Sequence, residues 1–329
     1  MIWKLGLASL GTLTLALVIF YVWATSGSYP RENYTQVSNY EWESPKAEGR
    51  KTLSLVSYNI GYLSGLTNLE AVQRPKKLFN ENLEQAIATL QPLNPDLIAF
   101  QEVDIASNRS YNVNQLEAIA SSLRLGHSGL AINWDKNYVP FPYWPISAHF
   151  GKIVSGQAVL SRYPIQENQR LVLDKVVGKP FFYNAVYLDR LAQITQVDVS
   201  GQPLIVINIH LEAFDNPTRF KQTQAVRDLA ETYAQDYPVL LVGDFNSALN
   251  RPEEGERSIE IMATSELFTS ALPKTQWTTQ PTFPSAESAH KLDYLFYTPA
   301  TIELKETRVI TEMGTASDHL PLMMTFVLK

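Results

Sequence analysis

The sequence predicts an α/β fold. From Thr52 onward, short apolar runs alternate with segments whose apolar residues recur at helical spacing, the pattern of strands and helices packed in layers. Two runs, Leu204-Ile205-Val206-Ile207 and Val239-Leu240-Leu241-Val242, are apolar at every position, as strands buried on both faces are. Several runs stop abruptly at acids, amides or histidines. Open α/β sheets place their ligands at the carboxyl ends of strands.

The chain has 329 residues, room for one large domain or two small ones, and no linker forces two. A composition 45% hydrophobic and 11% aromatic suits a large core. The formal charge of −6 supplies no overall basic field to draw in nucleic acid. There are no cysteines, so disulfides, thiolate metal sites and a cysteine nucleophile are excluded.

Leu5 to Ala24 contain no charge and are mostly Leu, Ala, Val, Ile and Gly. About 20 such residues suffice to cross a bilayer. Lys4 precedes the run and the first charge after it is Arg31. Positive-inside logic then puts the amino terminus in the cytoplasm and the rest outside, a single-pass membrane protein with an extracytoplasmic domain. Tyr21 and Trp23 would sit at the outer interface. Residues 1–25 are therefore expected to be a transmembrane anchor. A cleaved signal peptide, with Ala24-Thr25-Ser26 as a poor cleavage site, is the competing reading, but the run is long for a signal. A buried core helix does not fit, because no polar face exists. Residues 26–50 are polar, with Pro30, Pro45 and Gly49, and read as a linker. Residues 51–329 read as the catalytic domain.

Within that domain Thr52 to Asn59 is a strand. Leu66 to Gln91 contains a helix with Leu83, Ile87 and Leu90 on one face. Asn94-Pro95 breaks the chain. Asp96 to Val103 is a second strand, and Val113 to Leu125 a second helix. Asn133 to Lys152 hold Trp134, Tyr138, Phe141, Tyr143, Trp144 and Phe150 with Pro140, Pro142 and Pro145 between them, so they read as a long aromatic loop. Gln157 to Leu160 is a strand. Leu191 to Val199 and Pro203 to Leu211 flank Ser200-Gly201 as a hairpin. Arg219 to Tyr233 is helical, and so is Ser258 to Phe268. Lys291 to Tyr297, Ile302 to Ile310 and Leu322 to Leu328 are strands.

The residues that end these segments are Asn59, Glu102, Asn208, His210, Asp244, Asn246, Asp293, Asp318 and His319. Singly, each has a structural explanation. Gly243-Asp244-Phe245-Asn246 contains ordinary turn residues, Glu102 could cap a helix, and His210 could be a satisfied core histidine. Jointly they are harder to explain by structure, because buried carboxylates are costly unless paired or bound to a cation. Oxygen ligands without thiols suit Mg²⁺ or Mn²⁺. Histidines supply proton transfer near neutral pH. Asparagines can orient water or stabilise developing negative charge. These parts fit metal-assisted hydrolysis of a phosphate ester.

Ser57-Tyr58-Asn59-Ile60, Phe100-Gln101-Glu102, Asn208-Ile209-His210-Leu211, Gly243-Asp244-Phe245-Asn246, Leu292-Asp293-Tyr294 and Ser317-Asp318-His319 stand in the order of the endonuclease/exonuclease/phosphatase superfamily. From about Leu53 to Lys329 the chain resembles that superfamily, which includes deoxyribonuclease I and neutral sphingomyelinases. The resemblance implies a four-layer sandwich, two packed mixed β-sheets flanked by helices. It implies that Glu102 is the principal Mg²⁺ ligand, with Asn59 beside it and Asp318 touching the metal directly or through water. His319, oriented by Asp293, would act on the attacking water. Asp244 and Asn246 would position that water and the phosphoryl oxygens, and His210 would bond a phosphate oxygen or assist the leaving group. Asn208 is carried as substrate-binding. No acidic residue that orients His210 is identifiable. Arg162, in a run resembling the segment before a family strand, could reach a phosphate or face solvent in a turn. The expected partners are a phosphate-ester substrate and, through the amino-terminal helix, a membrane. The substrate could be a lipid headgroup or another envelope phosphodiester, or nucleic acid, which the charge does not favour. A non-catalytic, membrane-tethered binding module is the third reading.

Overall fold

A computed structural model describes residues 2–42, 50–68, 70–251 and 256–329; within its first helix, the side chains of residues 2–6 and 8 lie outside the description. The chain enters as α1 (Ile2–Thr25) and β1 (Thr35–Asn39). Next come β2 (Leu53–Asn59), α2 (Lys76–Leu93), β3 (Leu97–Asp104), α3 (Gln115–Leu123), β4 (His127–Val139) and β5 (Gly151–Ser161). The second half runs β6 (Ile165–Val172), α4 (Phe181–Val186), β7 (Leu191–Val199), β8 (Gln202–His210), α5 (Asn216–Tyr233), β9 (Val239–Asp244) and α6 (Ile259–Ala263). It closes with β10 (Thr269–Ser270), β11 (Asp293–Tyr297), β12 (Ile302–Val309) and β13 (Leu322–Leu328).

Two mixed sheets result, ordered β1-β4-β5-β3-β2-β13-β12 and β10-β11-β9-β8-β7-β6. They pack face to face through β2, β3, β8 and β9, with α3 against β3 and α2 against α3 on one side, and α5 against β9 and α6 against α5 on the other. The parallel pairs β2–β3 and β8–β9 lie inside their sheets, where both faces are covered, and this is why those runs carry no alternation. Asn114 and Asp215 cap α3 and α5 by accepting from the backbone N–H three residues on, at 3.1 and 3.0 Å. The Ser200-Gly201 turn takes left-handed φ of 55° and 91°, as a two-residue hairpin requires.

The structure departs from the sequence reading in several places. α2 starts only at Lys76, behind Pro75, and residues 66–68 before it are turn. The aromatic segment is strand as far as Val139, and the prolines are confined to the stretch before β5 resumes at Gly151. The expected helix from Ser258 to Phe268 is only α6. The expected linker 26–50 is in part not a linker. Thr35–Asn39 pairs with β4, Thr35 opposite Ala131 and Asn39 opposite His127, and so covers a sheet edge. Ser28 and Tyr29 donate their backbone N–H groups to the Asp135 carboxylate, each at 3.0 Å. Residues 43–49 lie outside the described residues.

The expected membrane crossing is not reproduced as such. Among the described residues no helix is long and apolar enough to cross a membrane, and part of the run from Leu5 falls on side chains outside the description. Most of the described side chains of α1 are apolar and exposed, from Leu7 and Leu10 through Phe20 and Trp23, while Ala24 near its end is buried.

Two candidate site residues are core instead. Asn208 Nδ2 donates to the Phe100 carbonyl at 2.9 Å and to Gln193 Oε1 at 3.1 Å, and its Oδ1 accepts from Gln101 Nε2 at 2.6 Å. It shares a strand face with His210 but sits two residues deeper, between the sheets, where amides satisfy one another. Asn208→Leu is expected to destabilise the fold by about 1–3 kcal/mol, because it strands the Gln101 and Gln193 amides; a urea midpoint equal to wild type would contradict this. Arg162 is buried and ion-paired to Asp96 at 2.8 Å, and its Nη2 donates to Asn94 Oδ1 at 2.8 Å. β5 runs antiparallel to β3, so its carboxyl end lies at the far end of the sheet from Glu102.

Candidate active site

The site forms where the two sheets meet at one end. In the second sheet, His210 of β8, Asp244 of β9 and Asp293 of β11 are cross-strand partners in a single row. In the first, Asn59 ends β2 and pairs with Gln101 of β3. The register of β3 slips between Phe100 and Val103, and Glu102 there takes a φ of 56°. Such a bulge re-aims a side chain, and this one turns Glu102 toward His210. Asp318 and His319 precede β13, and Ser317 ties their loop to β2 through Oγ to the Asn59 carbonyl at 2.8 Å.

Asp244 is the hub. Its Oδ1 accepts from the Asn246 backbone N–H at 2.8 Å, and its Oδ2 accepts from Asn59 Nδ2 at 3.0 Å and Asn246 Nδ2 at 3.3 Å. His210 Nε2 stands 3.6 Å and His319 Nε2 3.8 Å from the same oxygen. His319 Nδ1 is 2.9 Å from Asp293 Oδ2. On the other side, His210 Nε2 lies 3.7 Å from Glu102 Oε1. Asn68 Nδ2 bridges the carboxylates of Glu102, at 3.0 Å, and Asp318, at 3.3 and 3.4 Å. Glu102, Asp244 and His319 thus share one cavity of about 480 Å³. All the expected site residues are brought together here except Asn208 and Arg162.

Burial sets the charge states. It pushes the Asp244 carboxyl up to about 7, an effect that nearby His319 moderates and Asp293 reinforces. Burial and then the neighbouring Asp318 charge also raise Glu102 above the ordinary carboxylate range. His210 falls well below the ordinary imidazole value because it is buried and then because Arg190 is near. Burial also opposes charge on His319, but Asp293 and Asp244 outweigh it and hold that imidazole well above its ordinary value. His210 Nε2 faces the carboxylates of Glu102 and Asp244, which in their ionised forms only accept, and this assigns its proton to that nitrogen. Among the described residues its Nδ1 has no hydrogen-bond partner, and none of them is an acid that orients it.

The donor set fits a hard divalent cation. Glu102 and Asp318 are carboxylates that share one carboxamide, and burial and the Asp318 charge raise the cost of charging Glu102; a cation relieves that cost. Asp244, Asp293 and His319 also bring one ligand atom each within 4.8 Å of one another. In that trio, however, Asp293 and His319 are already committed to each other. Glu102 and Asp318, with Asn59 nearby, therefore form the better seat. Gly61 makes room for it: its φ is +51°, and a Cβ there would stand 2.7 Å from Asp318 Oδ1. Gly61→Ala is expected to displace Asp318 and to destabilise the fold by more than about 1 kcal/mol; calorimetric affinity for Mg²⁺ and thermal unfolding both report it.

Other lining residues were not legible from the sequence. Asn68 sits in a turn with no local signal. Arg190, just before β7, is buried with its Nη2 3.1 Å from the Tyr187 hydroxyl, which donates to Glu212 at 3.2 Å. Among the described residues its Nη1 has no hydrogen-bond partner. Arg109 is held bidentately by Asp104 at 2.8 and 3.0 Å and stacks 3.3 Å from the Tyr62 ring centroid. Trp134, Phe141, Tyr143, Phe150 and Phe214 form an aromatic wall, of which the density of rings in residues 133–152 foreshadowed the first four.

A two-sheet frame that converges carboxylates, amides and imidazoles on one cavity defines a phosphoesterase-type hydrolase fold. The chain belongs to the endonuclease/exonuclease/phosphatase family, whose pattern it matches over residues 56–319. Members of that family are generally hydrolases of phosphoester bonds and usually use divalent metal ions. No curated protein matches the chain. Among solved structures, an endonuclease/exonuclease/phosphatase from Beutenbergia cavernae is 21% identical with a TM-score of 0.62, over 85% of this chain and 72% of that one. A mannosyl-6-phosphatase from Bacteroides thetaiotaomicron is 16% identical with a TM-score of 0.58, over 84% of this chain and all of that one, 100%. The catalytic domain of human Nocturnin with bound sulfate is 17% identical with a TM-score of 0.57, over 92% and 100%. At these identities the likeness is one of fold.

Proposed function

We propose that the protein is a divalent-metal-dependent phosphodiesterase, anchored to a membrane by α1, with its catalytic domain outside the cytoplasm. The observation that carries the chemistry is the convergence on Asp244 Oδ2 of Asn59, His210 and His319, at 3.0, 3.6 and 3.8 Å, beside Glu102 and Asp318. Glu102 and Asp318, with Asn59, would hold Mg²⁺ or Mn²⁺. When bound, that ion neutralises charge on the phosphoryl oxygens. Asp244 and Asn246 hold the attacking water. An imidazolium has no lone pair to take a proton, so the charged His319, steadied by Asp293, donates to a phosphoryl oxygen. That leaves Asp244 as the acceptor for the proton of the water. His210, neutral with its proton on Nε2, donates to a phosphoryl or leaving oxygen. Water attacks phosphorus in line with the ester oxygen that departs.

The anchor reading is supported by the exposed apolar side chains of α1 and by Lys4 before the run against Arg31 after it. A lipid headgroup or another envelope phosphodiester is favoured as substrate, because an aromatic wall leads into the site. The test is a panel assay of the full chain with Mg²⁺ on bis-p-nitrophenyl phosphate, phospholipid vesicles, RNA and plasmid DNA, each with an EDTA control. EDTA-sensitive hydrolysis of the nitrophenyl and lipid esters is expected. Nicked plasmid with untouched lipid would move the assignment to a nuclease. No turnover and no metal binding by calorimetry would leave only a binding module.

A further inference from the structure

The cavity opens onto an exposed apolar rim. Trp144 and Ile146, in the loop before β5, are 76% and 64% exposed; Val177, Phe181 and Phe182 are 84%, 75% and 58% exposed, and Phe214 is 72% exposed. Patches of this kind are rare on proteins that face only water. The rim is continuous with the cavity, since Phe141, Tyr143, Tyr183 and Phe214 line it on the way to Glu102 and His319. Its charge is also unlike that of the rest of the chain. Residues 136–152 contain Lys136 and Lys152 and no carboxylate, and residues 174–188 contain Lys175 and Lys179 against Asp174 alone, in a protein of net charge −6; Lys175 is paired with Asp189 at 2.8 Å. Aromatic residues interleaved with lysine suit the headgroup layer of a bilayer, most of all an anionic one.

The rim is also continuous with α1. The Phe20 ring packs 5.8 Å from Tyr138, and the Tyr21 ring 5.9 Å from Phe181. Successive residues of β4 fasten the end of the helix. Lys136 Nζ donates to the Thr25 carbonyl at 2.9 Å, Asn137 Nδ2 donates to the Trp23 carbonyl at 3.0 Å, and the Asn137 backbone N–H donates to the Ser26 carbonyl at 2.9 Å. These bonds satisfy carbonyls that a helix end leaves open. The helix therefore leaves the domain in a fixed direction, beside the mouth of the cavity.

We infer that the loops at 140–150 and 174–182, with Phe214, form a face that lies on a lipid bilayer, so that the catalytic mouth opens onto the same membrane that α1 enters. This rests on the reading of α1 as an anchor and of the site as a phosphoesterase. The substrate is then an amphiphilic phosphoester drawn from the host bilayer. Its phosphoryl group reaches Asp244 and His319, and its apolar portion lies along the aromatic wall. A fixed helix and a second apolar contact leave the domain little freedom to reach a neighbouring membrane.

The chain has no native cysteine, so single labels report cleanly. Nitroxides at Ile146→Cys, Phe182→Cys and, as a water-facing reference on β12, Glu303→Cys are compared in the full chain, reconstituted in phosphatidylcholine–phosphatidylglycerol vesicles. Labels at 146 and 182 are expected to collide readily with oxygen and poorly with a water-soluble nickel chelate, and the label at 303 to do the reverse. Equal nickel accessibility at all three positions overturns the proposal. So does protection of 146 and 182 by single-stranded DNA but not by lipid, which would make the rim a base-stacking platform. In the same vesicles, the triple variant W144S/I146S/F182S should lose about tenfold or more of its turnover of bilayer phosphoester. It should keep wild-type hydrolysis of bis-p-nitrophenyl phosphate; an unchanged lipid rate also overturns the proposal. If wild type fails on the nitrophenyl ester, the phosphoesterase reading falls, while the labels still decide whether the face meets lipid.

Discussion

His319→Ala should lower kcat by about 10²–10⁴-fold, the range that a positioned proton-transfer group supplies, without unfolding the domain. The side chain lies beside the polar row at the strand ends, on the loop before β13 with the Phe283 ring at 4.9 Å, not among the apolar residues between the sheets, so its loss leaves the packed core intact. Its work depends on Asp293, whose Oδ2 holds Nδ1 at 2.9 Å. That contact fixes the ring so that Nε2 faces Asp244, and it supports the charge that keeps the imidazole well above its ordinary value against the pull of burial. Two consequences separate this account from a generic loss. Asp293→Asn should move the alkaline limb of the kcat profile to lower pH, because an imidazolium with less support deprotonates sooner. The double variant His319→Ala/Asp293→Asn should be little worse than His319→Ala alone, since residues that act as a unit are non-additive. A folded His319→Ala enzyme with wild-type kcat, or full additivity with Asp293→Asn, would remove His319 from its place.

How much of this was legible depends on whether the deciding force is local. The strands of Val239 to Val242 and Leu204 to Ile207 were readable because burial on both faces demands apolar residues at every step. The polar residues that close them were readable because a buried carboxylate needs a reason. Partners across the fold were not. Asn68 reaches Glu102 and Asp318 over separations of 34 and 250 residues, and nothing near it in sequence marks the turn that carries it. Asn208 and His210 share one strand face by the period-two rule, but that rule does not say how deep each sits. About 7 Å along a strand separates an amide locked between sheets from an imidazole at the cavity. Arg162 was misplaced because strand direction is a tertiary property: β5 runs against β3, so the end of one is the beginning of the other. The segment 26–42 looked like a tether because its strand is short and polar, and only the open edge of β4 gives it a partner.

Glu102→Gln should abolish most turnover, by about 10²–10³-fold or more, and yet make the metal-free protein more stable at pH 8. The two effects have one cause. Glu102 and Asp318 face each other across Asn68, and Glu102 is raised by burial and then by the Asp318 charge. Asp244 is raised to about 7. A carboxyl whose folded-state pKa lies above its unfolded value binds more protons in the folded state. Its contribution to stability is present in acid and is lost as pH rises through the folded value. The metal-free wild type should therefore weaken from about pH 4 to above pH 7, as Asp244 ionises between its ordinary value and about 7. Glutamine keeps the shape and the hydrogen bond from Asn68 but carries no charge to repel, so the variant weakens less over the same range. A divalent cation reverses the sign, because it binds the ionised form. Thermal unfolding of wild type should show a Mg²⁺-induced rise in Tm that is small at pH 5 and large at pH 8, and Glu102→Gln should show almost none at either. The destabilising charge of the empty seat is thus the affinity of the filled one, and a variant that lost activity but kept the full Mg²⁺-induced rise would place the cation elsewhere.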